Sequence, residues 1–194
     1  MLTMQQITKN EENFVQLLLE QTNRSGINQL IEWLKSTDFF IAPASTRFHG
    51  AEKGYLCQHS LNTYQACMEL ITNDAICKNI TVNDEFISSI TICSLLHDIC
   101  KTNYYKVNAK TYLGAPQYVV EDDFPCGHGE KSVILLQQFI KLKPEEILAI
   151  RWHMGSWDDA VRSNNMNFNN AKSKTILVDL LHIADMIASQ IMER

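Results

Sequence analysis

What this chain lacks narrows the reading before any motif is considered. None of its six cysteines (Cys57, Cys67, Cys77, Cys93, Cys100 and Cys126) forms a CxxC pair, and several fall within apolar helical patterns. Buried reduced thiols in a cytoplasmic protein are therefore expected in place of a disulfide framework. No segment approaches the roughly 20 consecutive apolar residues needed to cross a bilayer. The opening MLTMQQITKNEENF has no basic start followed by an apolar stretch, so no signal peptide is expected. No block of one charge sign exists either. The 17 basic and 22 acidic residues are mixed along the chain, for a net charge of -5. That balance discourages a broad nucleic-acid-binding face while leaving room for a local phosphate pocket. Repeats and credible linkers are absent too, and 194 residues suffice for one substantial core but are short for two domains.

What is present is a soluble globular composition, 45% hydrophobic and 20% charged. Helical periodicity begins at EENFVQLLLEQT, stops at Asn23-Arg24-Ser25-Gly26, and resumes in INQLIEWLKST with Trp33 and Leu34 inward. An irregular connection, FFIAPASTRFHGAEKGY, leads to a helix from Leu56 to about Asn73, where His59 shares a face with Thr63 and Ala66. Asp84 is placed to cap EFISSITICSLLHDI, whose almost wholly apolar interior predicts a central helix covered on several sides. Between residues 104 and 127, aromatic and β-branched residues broken by Gly114-Ala115-Pro116 predict a small β-hairpin or structured loop. Helices follow over 129–139 and from Pro144 through ILAIRWHMG. Residues 158–174 read as a long loop or short surface helix, and 174–194 as the last helix. The pattern is all-α, with one non-helical insertion.

The doublet His97-Asp98 in SLLHDICK sets an imidazole beside a carboxylate where a helix ends. Adjacent residues on a helix diverge by about 100°, so both can reach one centre only if the helix end distorts. His59, His128, His153 and Asp185 lie near other helix ends or in other helices. Imidazole nitrogens and carboxylate oxygens together suit iron, manganese, zinc, nickel or cobalt. Gathering them requires a bundle that brings four or five helices to one cleft. A lone histidine in an apolar helix is more often a hydrogen-bonded core residue than a ligand. Asp185, flanked by Ile183-Ala184 and Met186-Ile187, needs a partner that a metal or a histidine would supply.

The ordered set His59, His97-Asp98, His128, His153, Asp185 resembles the HD-domain superfamily of metal-dependent phosphohydrolases. GYLCQHSLNTY resembles its first-histidine segment, LLHDICK its doublet, GHGEKS its glycine-histidine-glycine turn and LLHIADMIAS its final aspartate helix. The resemblance implies a compact HD-domain-like helical bundle over residues 1–194, with core motifs at 45–190. The N-terminal helices at 11–37 would pack on it, and the hairpin or loop insertion would fall near 104–125. It further implies two divalent metal ions, drawn from manganese, iron, nickel, zinc, cobalt or magnesium. His59, His97, Asp98 and Asp185 would hold the first; Asp98 would bridge to a second completed by His128 and His153. The chemistry implied is hydrolysis of a phosphomonoester or phosphodiester with a metal-bridging hydroxide as nucleophile, and the aromatic-rich insertion beside such a centre would suit a nucleotide-like substrate.

Asp98 and Lys101 are the catalytic candidates. Lys101 lies one helical turn beyond the doublet, where its ammonium could meet a phosphate or simply favour a helix C-terminus. Arg47, His49, Lys131 and Arg151 are weaker candidates for substrate contact, and Arg151 could instead pair with Glu145 or Glu146. His182, three residues before Asp185, reads as a partner of a ligand or a core histidine. Tyr104, Tyr105, Tyr112, Tyr118, Trp152 and Trp157 could line a ring-stacking pocket, although aromatics also pin a hairpin to a helical body. The expected partner is a small phosphorylated molecule, with no membrane and with a homodimer compatible. Rival readings are an exonuclease of the same chemistry, a non-catalytic metal or ligand sensor, and a di-iron oxygenase.

Overall fold

Helix α5 (Asp84–Leu96) organises the molecule. Asn83 caps it by accepting the Phe86 amide at 2.8 Å, with Asp84 and Glu85 in the first turn at the positive end of the helix dipole. The cap is thus Asn83, one residue before the expected Asp84. A cap must sit outside the helix with extended backbone, and Asn83 does so at φ -129°, ψ 173°. From Ser89 to Leu96 every residue is buried. The helix packs against α1 (Met4–Gln21), α3 (Tyr55–Thr72), α7 (Pro144–Trp152) and α10 (Leu177–Ile187). A helix apolar all round is stable only when so enclosed.

The structure, a computed structural model, describes all residues except 49, 79, 111–116, 164, 165 and 194, and the side chains of Asp74 and Ile76. Helix α1 begins seven residues earlier than the apolar periodicity predicts. A capping box extends it: Thr3 accepts the Gln6 amide at 3.2 Å and Gln6 accepts the Thr3 amide at 2.8 Å. Phe14 and Leu18 of α1 join Leu30 and Leu34 of α2 (Ile27–Lys35) and Phe39 in the core. Helix α4 (Asp74–Cys77) is a single turn after α3.

The predicted insertion contains strand β1 (Tyr105–Val107) antiparallel to β2 (Tyr118–Val120), with Tyr105 opposite Val120. Tyr105 donates its hydroxyl to the Ala44 carbonyl at 3.2 Å, fixing the hairpin to the irregular 39–55 connection. Tyr112 and Gly114 lie outside the described residues. Helix α6 (His128–Leu136) stops three residues short of the predicted end. Among the described residues, the polar 158–174 stretch holds two short helices, α8 (Asp159–Arg162) and α9 (Asn167–Lys172). After α10 the chain does not continue as α-helix: residues Ala188–Met192 form a π-helical turn. All six cysteines are free, five of them buried. Among the described residues no helix is long and apolar enough to cross a membrane.

Candidate metal centre

His97, the residue after α5, keeps helical dihedrals at φ -57°, ψ -35°, and Asp98 leaves them at φ -100°, ψ 16°. A 3-10 turn over Ile99–Lys101 follows. This departure resolves the divergence of adjacent helical side chains, because both the His97 ring and the Asp98 carboxylate turn to the same buried centre. Asp98 then divides its two oxygens. Oδ2 lies 3.6 Å from Nε2 of both His59 and His97, whereas Oδ1 lies 2.7 Å from His128 Nε2 and 3.5 Å from His153 Nε2. Asp185, on α10, closes the cluster at 3.1 Å from His59 Nε2. The structure therefore brings together all six residues of the expected ligand set.

The grouping differs in detail from the expected division. Among the described residues, compact triads whose donor atoms lie within 4.8 Å of one another are His59–His97–Asp185, His97–Asp98–His153 and Asp98–Cys100–His128. His153 thus associates with His97 as closely as with the His128 side. Cys100, read from sequence only as a buried thiol, sits beside His128, its sulfur 3.5 Å from both ring nitrogens. No spacing rule exposes that contact, because it depends on how the turn after Asp98 meets α6.

His97 and His153 are aimed by the same device. Each follows a helix end, and each donates Nδ1–H to the carbonyl three residues back: Ser94 at 2.9 Å and Ile150 at 2.6 Å. The last carbonyls of a helix have no partner within it, so they are free to accept. Both rings are left with Nε2 as the lone pair facing the centre. His153 Nε2 is wholly buried and has no hydrogen-bond partner among the described residues. A buried imidazole lone pair facing carboxylates is costly unless something positive fills the space between them.

Two glycines permit the close approach. A Cβ on Gly129 would lie 2.2 Å from the Arg151 carbonyl oxygen, so only glycine lets α6 lie against the end of α7 and bring His128 toward His153. Gly155, at φ +52°, leaves room for the His182 ring, which donates to the His153 carbonyl at 2.7 Å. His182 thus supports a cluster residue through the backbone.

The electrostatics of the cluster also ask for positive charge. Burial works against protonated His59, but the carboxylates of Asp185 and Glu193 outweigh it and push its pKa up to about 10. Burial likewise opposes protonated His128, and the Cys100 sulfur and Asp98 carboxylate raise it to about 10. Burial lowers His97 to about 4, against the attraction of Asp98, so it is neutral at ordinary pH. Asp98 is held well below the usual carboxylate range although burial opposes this, chiefly by Lys101, whose Nζ donates to Oδ2 at 2.6 Å. Imidazole and carboxylate donors around a buried, proton-attracting centre are a donor set that fits a divalent first-row metal.

Above the cluster lies a cavity of about 480 Å³. Asp98, His128 and Asp185 form its floor with Lys101, and Tyr104, Tyr105, Phe48 and Trp157 contribute aromatic wall. Tyr118 and Trp152 do not line it. Of the weaker candidates, Arg47 is exposed and outside the lining, and His49 falls outside the described residues. Lys131 borders a smaller neighbouring cavity and is held by Asp122 at 2.5 Å. Arg151 pairs with Glu130 at 2.5 Å and Asp158 at 2.7 Å, and not with Glu145 or Glu146. Glu146 is buried against Arg24, accepts from Ser89 at 2.7 Å and cannot serve Arg151 as well.

A family model described as HD domain matches residues 56–189. No curated protein and no solved structure matches the chain.

Proposed function

Because the chain belongs to the HD domain family, whose members are typically metal-dependent phosphohydrolases, we propose that it hydrolyses a small, nucleotide-like phosphomonoester or phosphodiester. The observation that carries this reading is the buried, unpartnered Nε2 of His153 beside the divided carboxylate of Asp98. Divalent metal ions bound there would lower the pKa of a water and neutralise phosphate oxygens.

The residues would take distinct parts. His59, His97 and Asp185 would serve as one flank of the donor set and His128 with His153 as the other, with Asp98 turning one oxygen toward each. Lys101 neutralises one oxygen of Asp98 and holds its orientation. The same ammonium borders the cavity, where a phosphate oxygen can share it. The aromatic wall suits a planar group attached to that phosphate, and the cavity volume falls in the range of small-ligand sites. An extended strand is less well served. It would need a cationic track leading away, and both Lys131 and Arg151 are already engaged by carboxylates.

The test is product formation from nucleoside monophosphates, cyclic nucleotides and small phosphoesters with manganese, followed by chromatography beside the Asp98→Ala variant. Turnover by the wild type should fall by at least about 100-fold in the variant, the scale of losing a main electrostatic element of an active site. Equal turnover by the two proteins would remove the centre from the chemistry.

A further inference from the structure

His59 cannot be aimed as His97 and His153 are. Those two follow helix C-termini, where spare carbonyls accept Nδ1–H. His59 lies in the second turn of α3, whose carbonyls are consumed by the helix and whose free groups at that end are N–H donors. Its acceptor has to come from elsewhere in the chain. Glu193 supplies it: Oε1 accepts His59 Nδ1–H at 2.9 Å, on the side of the ring away from Asp185 and His97. Asn62, one turn after His59, donates to the same oxygen at 3.0 Å, and the Glu193 side chain is almost fully buried.

The π-helical turn explains how the carboxylate gets there. In a regular α-helix a residue eight positions after Asp185 would be rotated from it by roughly 80°. The wider turn over Ala188–Met192 takes up part of that rotation, and the Glu193 amide itself closes it by donating to Ala188, five residues back, at 3.1 Å. One C-terminal element thus places Asp185 against Nε2 and Glu193 against Nδ1 of the same ring. Glu193 lies beyond the segment matched by the family model, which ends at 189.

We propose that Glu193 is the positioning residue of His59, fixing its Nδ1–H tautomer so that Nε2 is presented to the metal. The proposal rests on the metal-dependent reading of the site. A carboxylate on the far nitrogen of a ligating imidazole sets ring orientation and raises ligand basicity, and its loss typically costs metal affinity about 10–100-fold.

The experiment is calorimetric titration of the full chain with Zn²⁺ for wild type, Glu193→Ala, Glu193→Gln and His97→Ala. It is paired with proton NMR of the imidazole N–H signals in the Zn²⁺-loaded proteins. Glu193→Ala should bind about 10–100-fold more weakly and lose the slowly exchanging His59 Nδ1 proton. Glu193→Gln keeps an acceptor without the charge, so it should retain that proton with an intermediate affinity. A shared fold, checked by circular dichroism, makes the comparison direct. Wild-type affinity together with a retained Nδ1 proton in Glu193→Ala would overturn the role of Glu193. Unchanged zinc binding in His97→Ala would instead sink the metal reading itself, so the two failures are separable.

Discussion

At the scale of single residues, protons and metal ions compete for the same lone pairs. His59 and His128, ordinarily titrating at 6.5, are both raised to about 10, against the effect of burial, by the carboxylates and the Cys100 sulfur around them. The stability they contribute is full below pH 6.5 and is lost as pH rises toward 10, since a raised pKa means the folded state holds the proton more tightly. Ligation has the opposite sign, because a ligating imidazole must be neutral. Filling the centre at pH 7 should therefore expel about two protons, and metal affinity should strengthen as pH rises from 6 to 9. Calorimetry in two buffers of different ionisation enthalpy counts those protons directly. A proton count of zero at pH 7 would mean that His59 and His128 are not ligands. Lys101 does not add to the count, since Asp98 holds its ammonium protonated well beyond this range, against the effect of burial.

At the scale of elements, the critical contact is α6 against the end of α7. Gly129→Ala would drive a Cβ into the Arg151 backbone, which cannot swing aside as a side chain could. The two helices should separate, at a cost of about 1–3 kcal/mol, and carry His128 away from Asp98. Thermal unfolding together with metal titration checks this: lower stability with weaker metal binding is expected, and wild-type behaviour in both would show that the helices have slack. This scale also separates what could be read in the sequence from what could not. The central burial of α5 and the hairpin follow from periodicity and turn residues, which are local signals, whereas the six clustered residues were legible only as an ordered set resembling a known family. The pairing of Arg151 with Glu130 and Asp158 was not legible, because it depends on how α6 and the turn before α8 meet α7. Nor was Glu193, whose arrival at His59 requires a π-helical turn that no apolar spacing announces. The early start of α1 was present in Thr3 and Gln6 but polar, and an apolar pattern passes over it.

At the scale of the whole molecule, the cluster draws its residues from α3, the end of α5, the start of α6, the residue after α7, and α10. Segments more than a hundred positions apart in sequence meet there, and the arrangement exists only once the bundle has formed. A metal that binds this arrangement and not the unfolded chain must then stabilise the fold by mass action. At a free concentration 100 times its dissociation constant the gain is about 2.7 kcal/mol. For a chain of this length that corresponds to a rise in Tm of roughly 5–10 °C. The rise should vanish in His97→Ala, whose ring belongs to both the His59–His97–Asp185 and the His97–Asp98–His153 triads. It should persist, smaller, in His128→Ala, which takes one residue from the second flank and leaves His59, His97 and Asp185 in place. A wild-type Tm indifferent to manganese and zinc, or an identical rise in His97→Ala, would place metal binding elsewhere than in this centre. The ordering of the three proteins matters more than the size of any one shift. Adventitious binding to surface carboxylates would raise all three alike, and only a centre divided by Asp98 grades them.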